Sequence, residues 1–179
     1  MTVLVAAVIL IGLLCGLDLL LTLGVVKRLR QHTELLSGGA GVVSTTDLAV
    51  GDPVGAFQTS TVDGERLDDR TLAGTSVVAF FSPDCGPCKE KMPKFVEFAA
   101  TMPRDRVLAV VAATPEEAAP AVAALAPVAR VVVEGPDGPL GAAFQVNGYP
   151  TILAVSHDDG QLRLTSNRVR LNRPAVAAA

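Results

Sequence analysis

Cys85 and Cys88 stand two residues apart in the stretch FFSPDCGPCKEKMP, residues 80–93, and they are two of only three cysteines in a chain of 179 residues. A pair at this spacing can be a structural crosslink, half of a metal clamp or a redox centre. A disulfide across two residues closes a very small loop, so its entropic stabilisation of the fold is slight. A zinc site needs about four ligands. The remaining candidates are Cys15, inside an apolar run, and His32 and His157, in unrelated segments. Redox chemistry asks for less. One thiol must ionise readily and the other must reach back to it, because the thiolate is the attacking species and the second thiol resolves the mixed disulfide.

The flanking elements supply those conditions. SVVAFF, residues 76–81, is a continuous apolar, β-branched run, as in a strand buried on both faces. From Gly86 the pattern turns helical, with Met92, Phe95, Val96 and Phe98 forming an apolar stripe. Cys85 thus falls at a strand-to-helix junction, where unpaired amides and the helix dipole favour a thiolate. Cys88 lies one turn in. Gly86 and Pro87 suit the bend and the first helical turn.

Around this junction the chain reads as alternating units. FQTSTVDGERL, 57–67, is a hairpin about a D-G turn. Strands are expected at 107–114, 129–134, 151–156 and 161–166, the last two joined by a D-G turn at 159–160. Helices are expected at 115–126 and 139–146. This order implies an α/β domain whose sheet has a parallel part and helices on both faces. VNGYPT, 146–151, puts Pro150 at the entrance of a strand.

With these motifs in place the sequence resembles the thioredoxin superfamily, specifically its membrane-anchored TlpA/ResA/MauD-like branch, over residues 49–170. The resemblance implies a thioredoxin-like fold, with a central mixed β-sheet flanked by helices, and thiol–disulfide oxidoreductase activity carried by Cys85 and Cys88. It implies a cis-proline at Pro150 packed against the cysteine pair, with Tyr149 offering its backbone to the substrate chain and Thr151 following. Pro93 matches the family's helix-kinking proline, and residues 50–67 resemble the opening hairpin of redoxin-type members. No cofactor is implied beyond the redox-active disulfide Cys85–Cys88, and no metal.

The sequence departs from the family at several points. Asp84 stands where tryptophan is usual, and its charge opposes ionisation of Cys85. Ala79 stands where thioredoxins bury a proton-accepting acid. Lys91 stands where related members carry Glu, which leaves Glu90 as the candidate proton-transfer group. A less stable thiolate makes the dithiol the better reductant, and the Gly-Pro dipeptide is that of thioredoxin itself, with a potential of roughly −270 mV. Both features point towards reduction of substrate disulfides.

Residues 2–26 are apolar apart from Asp18, about the length that crosses a bilayer. No basic residue precedes them and no A-x-A cleavage site follows, so they read as an uncleaved transmembrane anchor in contact with membrane lipid. A basic juxtamembrane stretch and flexible linker, 27–48, leads to the redoxin domain, 49–170, and a tail, 171–179. Lys27, Arg28 and Arg30 place the domain in the cytoplasm by the positive-inside rule, whereas the family resemblance places it outside. With 15 Lys and Arg against 18 Asp and Glu, nothing suggests a nucleic-acid partner. The expected partners are a protein thiol or disulfide substrate and a membrane electron donor.

Two rival readings remain. A peroxiredoxin would carry P-x-x-x-T/S-x-x-C; Ser82 fits, but Val78 occupies the proline position. A copper-delivery protein on the same fold would combine two thiolates with a histidine, for which His157 is available.

Overall fold

The computed structural model describes residues 45–72 and 74–172, the backbone of Val42 and Val43, and, further N-terminal, Met1 and Gly12. The chain divides into two compact units, Met1–Ala40 and Gly41–Ala179, and the second carries the elements below. No helix among the described residues is long and apolar enough to cross a membrane. The segment 2–26, read above as a transmembrane helix, lies outside the described residues apart from Gly12. So do 27–41 and 173–179.

The strands in chain order are β1 (Val42–Val43), β2 (Gln58–Ser60), β3 (Arg66–Asp68), β4 (Ser76–Phe81), β5 (Val107–Ala112), β6 (Arg130–Glu134), β7 (Thr151–Asp158), β8 (Gln161–Ser166) and β9 (Arg168–Val169). The helices are α1 (Gly86–Ala99), α2 (Pro115–Leu125) and α3 (Pro139–Ala143), with a 3-10 turn at Arg104–Arg106. Five strands form the central sheet in the order β6-β5-β4-β7-β8. β4, β5 and β6 run parallel, β7 returns antiparallel beside β4, and β8 pairs with β7. This is a thioredoxin-like arrangement, as the order of the sequence patterns implied.

The central position of β4 explains its composition. All six of its residues are buried, and alternate side chains enter different layers. Val77, Ala79 and Phe81 join Phe95, Phe98, Ala118, Ala121 and Leu125 from α1 and α2. Val78 and Phe80 join Phe57, Leu67, Leu140 and Phe144 from the β2–β3 hairpin and the α3 region. Rings meet in both layers: Phe81 lies 5.3 Å from Phe95, and Phe80 lies 5.5 Å from Phe144, centroid to centroid. Such pairs add to the apolar area they bury.

The turns follow local chemistry. Asp159 and Gly160 both adopt positive φ, 49° and 76°, as a two-residue hairpin loop requires. Thr114 caps α2 through a full capping box with Glu117, and Pro115 opens that helix.

The folded contacts begin before Ala49, the boundary expected from the sequence. Val42 and Val43 pair with Val169 and Arg168. Thr46 forms a bridge with Val146, and Leu48 is buried. Small polar residues before Ala49 read as linker by composition, yet the backbones of Thr45, Thr46 and Asp47 find partners around the loop that leads to Pro150.

Candidate active site

Cys85 is the N-cap of α1, with extended backbone (φ −90°, ψ 112°). A tight turn holds it there: its N–H donates to the Ser82 carbonyl at 3.2 Å, and its own carbonyl accepts from Cys88 at 3.1 Å and Lys89 at 3.3 Å. Its Sγ accepts from the backbone N–H of Cys88 at 3.2 Å. Pro87, in the first turn, has no N–H to offer, so the Cys88 amide is aimed at the sulfur without competition from its neighbour. The amide and the helix end both favour negative charge on Sγ.

Cys85 and Cys88 are disulfide-bonded, with Cα atoms 5.2 Å apart. Their exposures differ. Cys88 is fully buried, 0 % exposed, within the layer of Ala79, Phe81 and Phe95. Cys85 is half-buried, between the exposed Asp84 and Gly86. An incoming sulfur can therefore reach Cys85 and not Cys88.

The second wall of the site comes from the loop between α3 and β7. The Tyr149–Pro150 peptide bond is cis, and Pro150 is buried. The Tyr149 carbonyl oxygen lies 3.3 Å from Cys85 Sγ, within reach of a thiol donor. Thr151 is buried beneath this loop. Its Oγ1 donates to the Gly148 carbonyl at 2.8 Å and accepts from the Thr45 N–H at 3.0 Å. The loop is further strapped by Asn147 N–H to Thr45 O at 3.1 Å and by Asn147 Nδ2 to Asp47 Oδ1 at 2.7 Å. Tyr149, Pro150 and Thr151 thus converge with Cys85, although Thr151 faces the strap rather than the cysteines.

The expected tuning residues are distributed differently. Asp84 is exposed, so water screens its charge. Gly86 has negative φ, and a Cβ there would meet open space; neither strain nor crowding demands glycine at this position. Glu90 is exposed and makes no hydrogen bond or ion pair among the described residues. Ala79 is fully buried in the same layer as Cys88, and no Asp or Glu among the described residues is fully buried.

Glu134, unforeseen from the sequence, supports the Tyr149 loop. Its carboxylate accepts from Leu140 N–H at 3.1 Å and Gly141 N–H at 2.7 Å, joining the end of β6 to the start of α3. A Cβ on Gly138 would sit 2.4 Å from the Glu134 carboxyl carbon, so glycine is required there. Burial pushes the Glu134 carboxyl above its ordinary value, against the lowering effect of the two amides. The Tyr149 phenol is raised first by burial and then by the carboxylates of Glu134 and Asp137. An acid at a strand end followed by a G-P-D-G-P turn carries no signal for such a cap.

No family model matches the chain, and no curated protein matches it significantly. Solved structures do. The thioredoxin domain of a thiol-disulfide oxidoreductase from Bacteroides vulgatus superposes with a TM-score of 0.55 at 18 % identity, covering 69 % of this chain and 91 % of that one. A thiol:disulfide interchange protein from Bacteroides sp. gives 0.54 at 16 % identity, over 69 % and 83 %. The dsbF protein of MTB, in mixed oxidised and reduced forms, gives 0.52 at 21 % identity, over 65 % and 87 %. At these identities the likeness establishes the thioredoxin-like fold.

Proposed function

We propose that this chain is a membrane-anchored thiol–disulfide oxidoreductase that reduces protein disulfides through Cys85 and Cys88. One observation carries the reading. The two cysteines form a disulfide at a helix N-terminus, with the outer sulfur reachable and the inner one fully buried. In the reduced protein the Cys85 thiolate attacks one sulfur of a substrate disulfide. That bond breaks, a substrate thiolate leaves, and a mixed disulfide forms. Cys88 then loses its proton and attacks Cys85 Sγ, releasing the second substrate thiolate and closing the Cys85–Cys88 disulfide. Two electrons pass to the substrate, and a membrane dithiol donor returns them. The apolar segment 2–26 supports the anchor.

The rival readings fit less well. Val78, at the position of the peroxiredoxin proline, lies inside β4 between Leu108 and Leu153, where a proline would break a central ladder. His157 stands six residues along β7 from Thr151, about 20 Å by strand rise. Its Nε2 lies 2.9 Å from the Asp69 carbonyl, so it is not a third ligand beside the thiols.

Trapping tests the assignment. Cys88→Ser leaves the attacking thiol without its resolver and should accumulate a mixed disulfide with substrate, visible on non-reducing gels and cleared by dithiothreitol. Cys85→Ser should accumulate none and should lose insulin-type disulfide reduction. Full reductase activity in Cys85→Ser would sink the assignment.

A further inference from the structure

A groove of about 810 Å³ opens beside the active-site turn and runs between α1 and α2. Ser82, Pro83 and Asp84, the turn that precedes Cys85, line one part of it, so the groove adjoins the cysteine pair. Its walls are apolar: Met92, Pro93 and Val96 on one helix face Pro120 and Ala124 on the other. None of these contributes to the chemistry described above.

Charge around the groove is one-sided. Asp84, Glu97 and Glu117 line it against a single Lys89. Glu117 is held below its ordinary carboxyl value by its hydrogen bonds to the Thr114 backbone and side chain, and so is ionised at neutral pH. The ion pairs among the described residues are Arg104–Asp63 and Arg130–Glu65, which leaves the carboxylates of the groove unneutralised. Pro93 and Pro120, within α1 and α2, withhold the amides that would bond the carbonyls of Lys89 and Glu116 four residues back. Both prolines instead present their rings as part of the apolar lining. The groove therefore combines apolar walls with excess negative charge, a surface complementary to apolar chains that carry cations.

We propose that this groove binds an apolar segment bearing Lys or Arg side chains in the protein substrate, adjacent to the disulfide presented to Cys85. Apolar side chains of that segment fill the space between Met92, Val96 and Ala124. Its basic side chains meet Asp84, Glu97 and Glu117. Lys and Arg are cationic and donor-only, and so match the carboxylates. The proposal rests on the dithiol–disulfide reading and deepens it by naming the substrate feature recognised.

The test uses the purified full-length chain with two peptide disulfides of equal length and equal apolar content. One carries Lys and Arg beside its cysteine, the other Glu. The measurement is kcat/KM for each, beside a small uncharged disulfide. The basic peptide should be preferred by about fivefold, in keeping with two partly screened charge contacts, and added salt should shrink the ratio. Glu97→Lys should bring the ratio close to unity, and Ala124→Trp should weaken use of both peptides by filling the groove. In parallel, a cysteine-free form of the basic peptide should bind with measurable anisotropy and be displaced by salt. Equal use of both peptides, together with no binding of the cysteine-free form, would overturn the docking proposal while leaving the dithiol reading intact. Failure to reduce any of the three disulfides would overturn the dithiol reading itself. Concentration-dependent self-association lost in Ala124→Trp would assign the groove to a second copy of the chain and likewise overturn the proposal.

Discussion

Tyr149 is the only tyrosine in the chain, and there is no tryptophan. One residue beside the nucleophile can therefore be followed without interference. Its phenol is half-buried and faces the negative fields of Glu134 and Asp137, so its titration lies above the ordinary tyrosine value near 10. The phenolate is disfavoured first by lost hydration and then by like charge. Glu134→Gln removes the charge with the larger effect on Tyr149 while keeping an amide oxygen for one of the α3 amides. The expected outcome is a lower titration point for Tyr149, read as phenolate absorbance near 295 nm, still above that of a free tyrosine because burial persists. An unchanged titration curve in Glu134→Gln would mean that the carboxylate does not act on this side chain. Gly86 illustrates the opposite case. It lies next to the nucleophile, yet its backbone accommodates any residue.

Elements were legible where one physical signal decided them. β4 was recognisable because a strand buried on both faces must be apolar at every position, and α1 because its stripe of Met92, Phe95, Val96 and Phe98 follows the helical period. The β7–β8 loop was recognisable because only a few dipeptides accept two successive positive φ values. Elements built on pairing with distant backbone were not legible: β1 and β9 are two residues each, and their sequences hold no period to detect. The Thr45–Asp47 strap and the Glu134 cap were missed for the same reason, since each depends on a partner far away in the sequence. The cysteine pair was legible as chemistry, whereas the groove depends on how α1 and α2 approach each other. The start of α2 shows how much a local signal is worth. Thr114→Ala should cost about 1 kcal/mol at neutral pH, measured by urea unfolding, through loss of the N-cap and of the hydroxyl bonded to Glu117. Thr114→Ser should restore most of it. Glu117 has a depressed folded value, so its contribution is present above its unfolded value, near 4.5, and fades as pH falls through the lower folded one. The Thr114→Ala deficit should accordingly shrink in acid, and a deficit that grew there would contradict the capping box.

At the scale of the whole molecule, the β2–β3 hairpin must be joined to the five-stranded sheet, and Arg130 stands at that join. It opens β6 and is 5 % exposed. Its Nη1 lies 3.4 Å from Glu65 Oε1, on the hairpin, where the Val62 N–H also donates to the Val131 carbonyl at 2.8 Å. Nε and Nη2 of Arg130 have no hydrogen-bond partner among the described residues. A guanidinium taken out of water with one long ion pair recovers little of its hydration energy. The hairpin is therefore held by Phe57, Leu67 and the Val62–Val131 hydrogen bond rather than by the charge pair. Two substitutions separate these contributions. Arg130→Met replaces the buried cation with an apolar chain of similar length and should leave the unfolding free energy unchanged or raise it by about 1 kcal/mol. Glu65→Gln removes the one counter-charge that pairs with Arg130 among the described residues. It should lower stability by about 1 kcal/mol, less than a fully buried pair would lose, because Glu65 is half in water. The double variant should match Arg130→Met alone, since without the cation the loss at Glu65 has nothing to act on. Urea unfolding of the four proteins closes the cycle. A large loss of stability in Arg130→Met, undiminished in the double variant, would show that the guanidinium stabilises the join independently of Glu65.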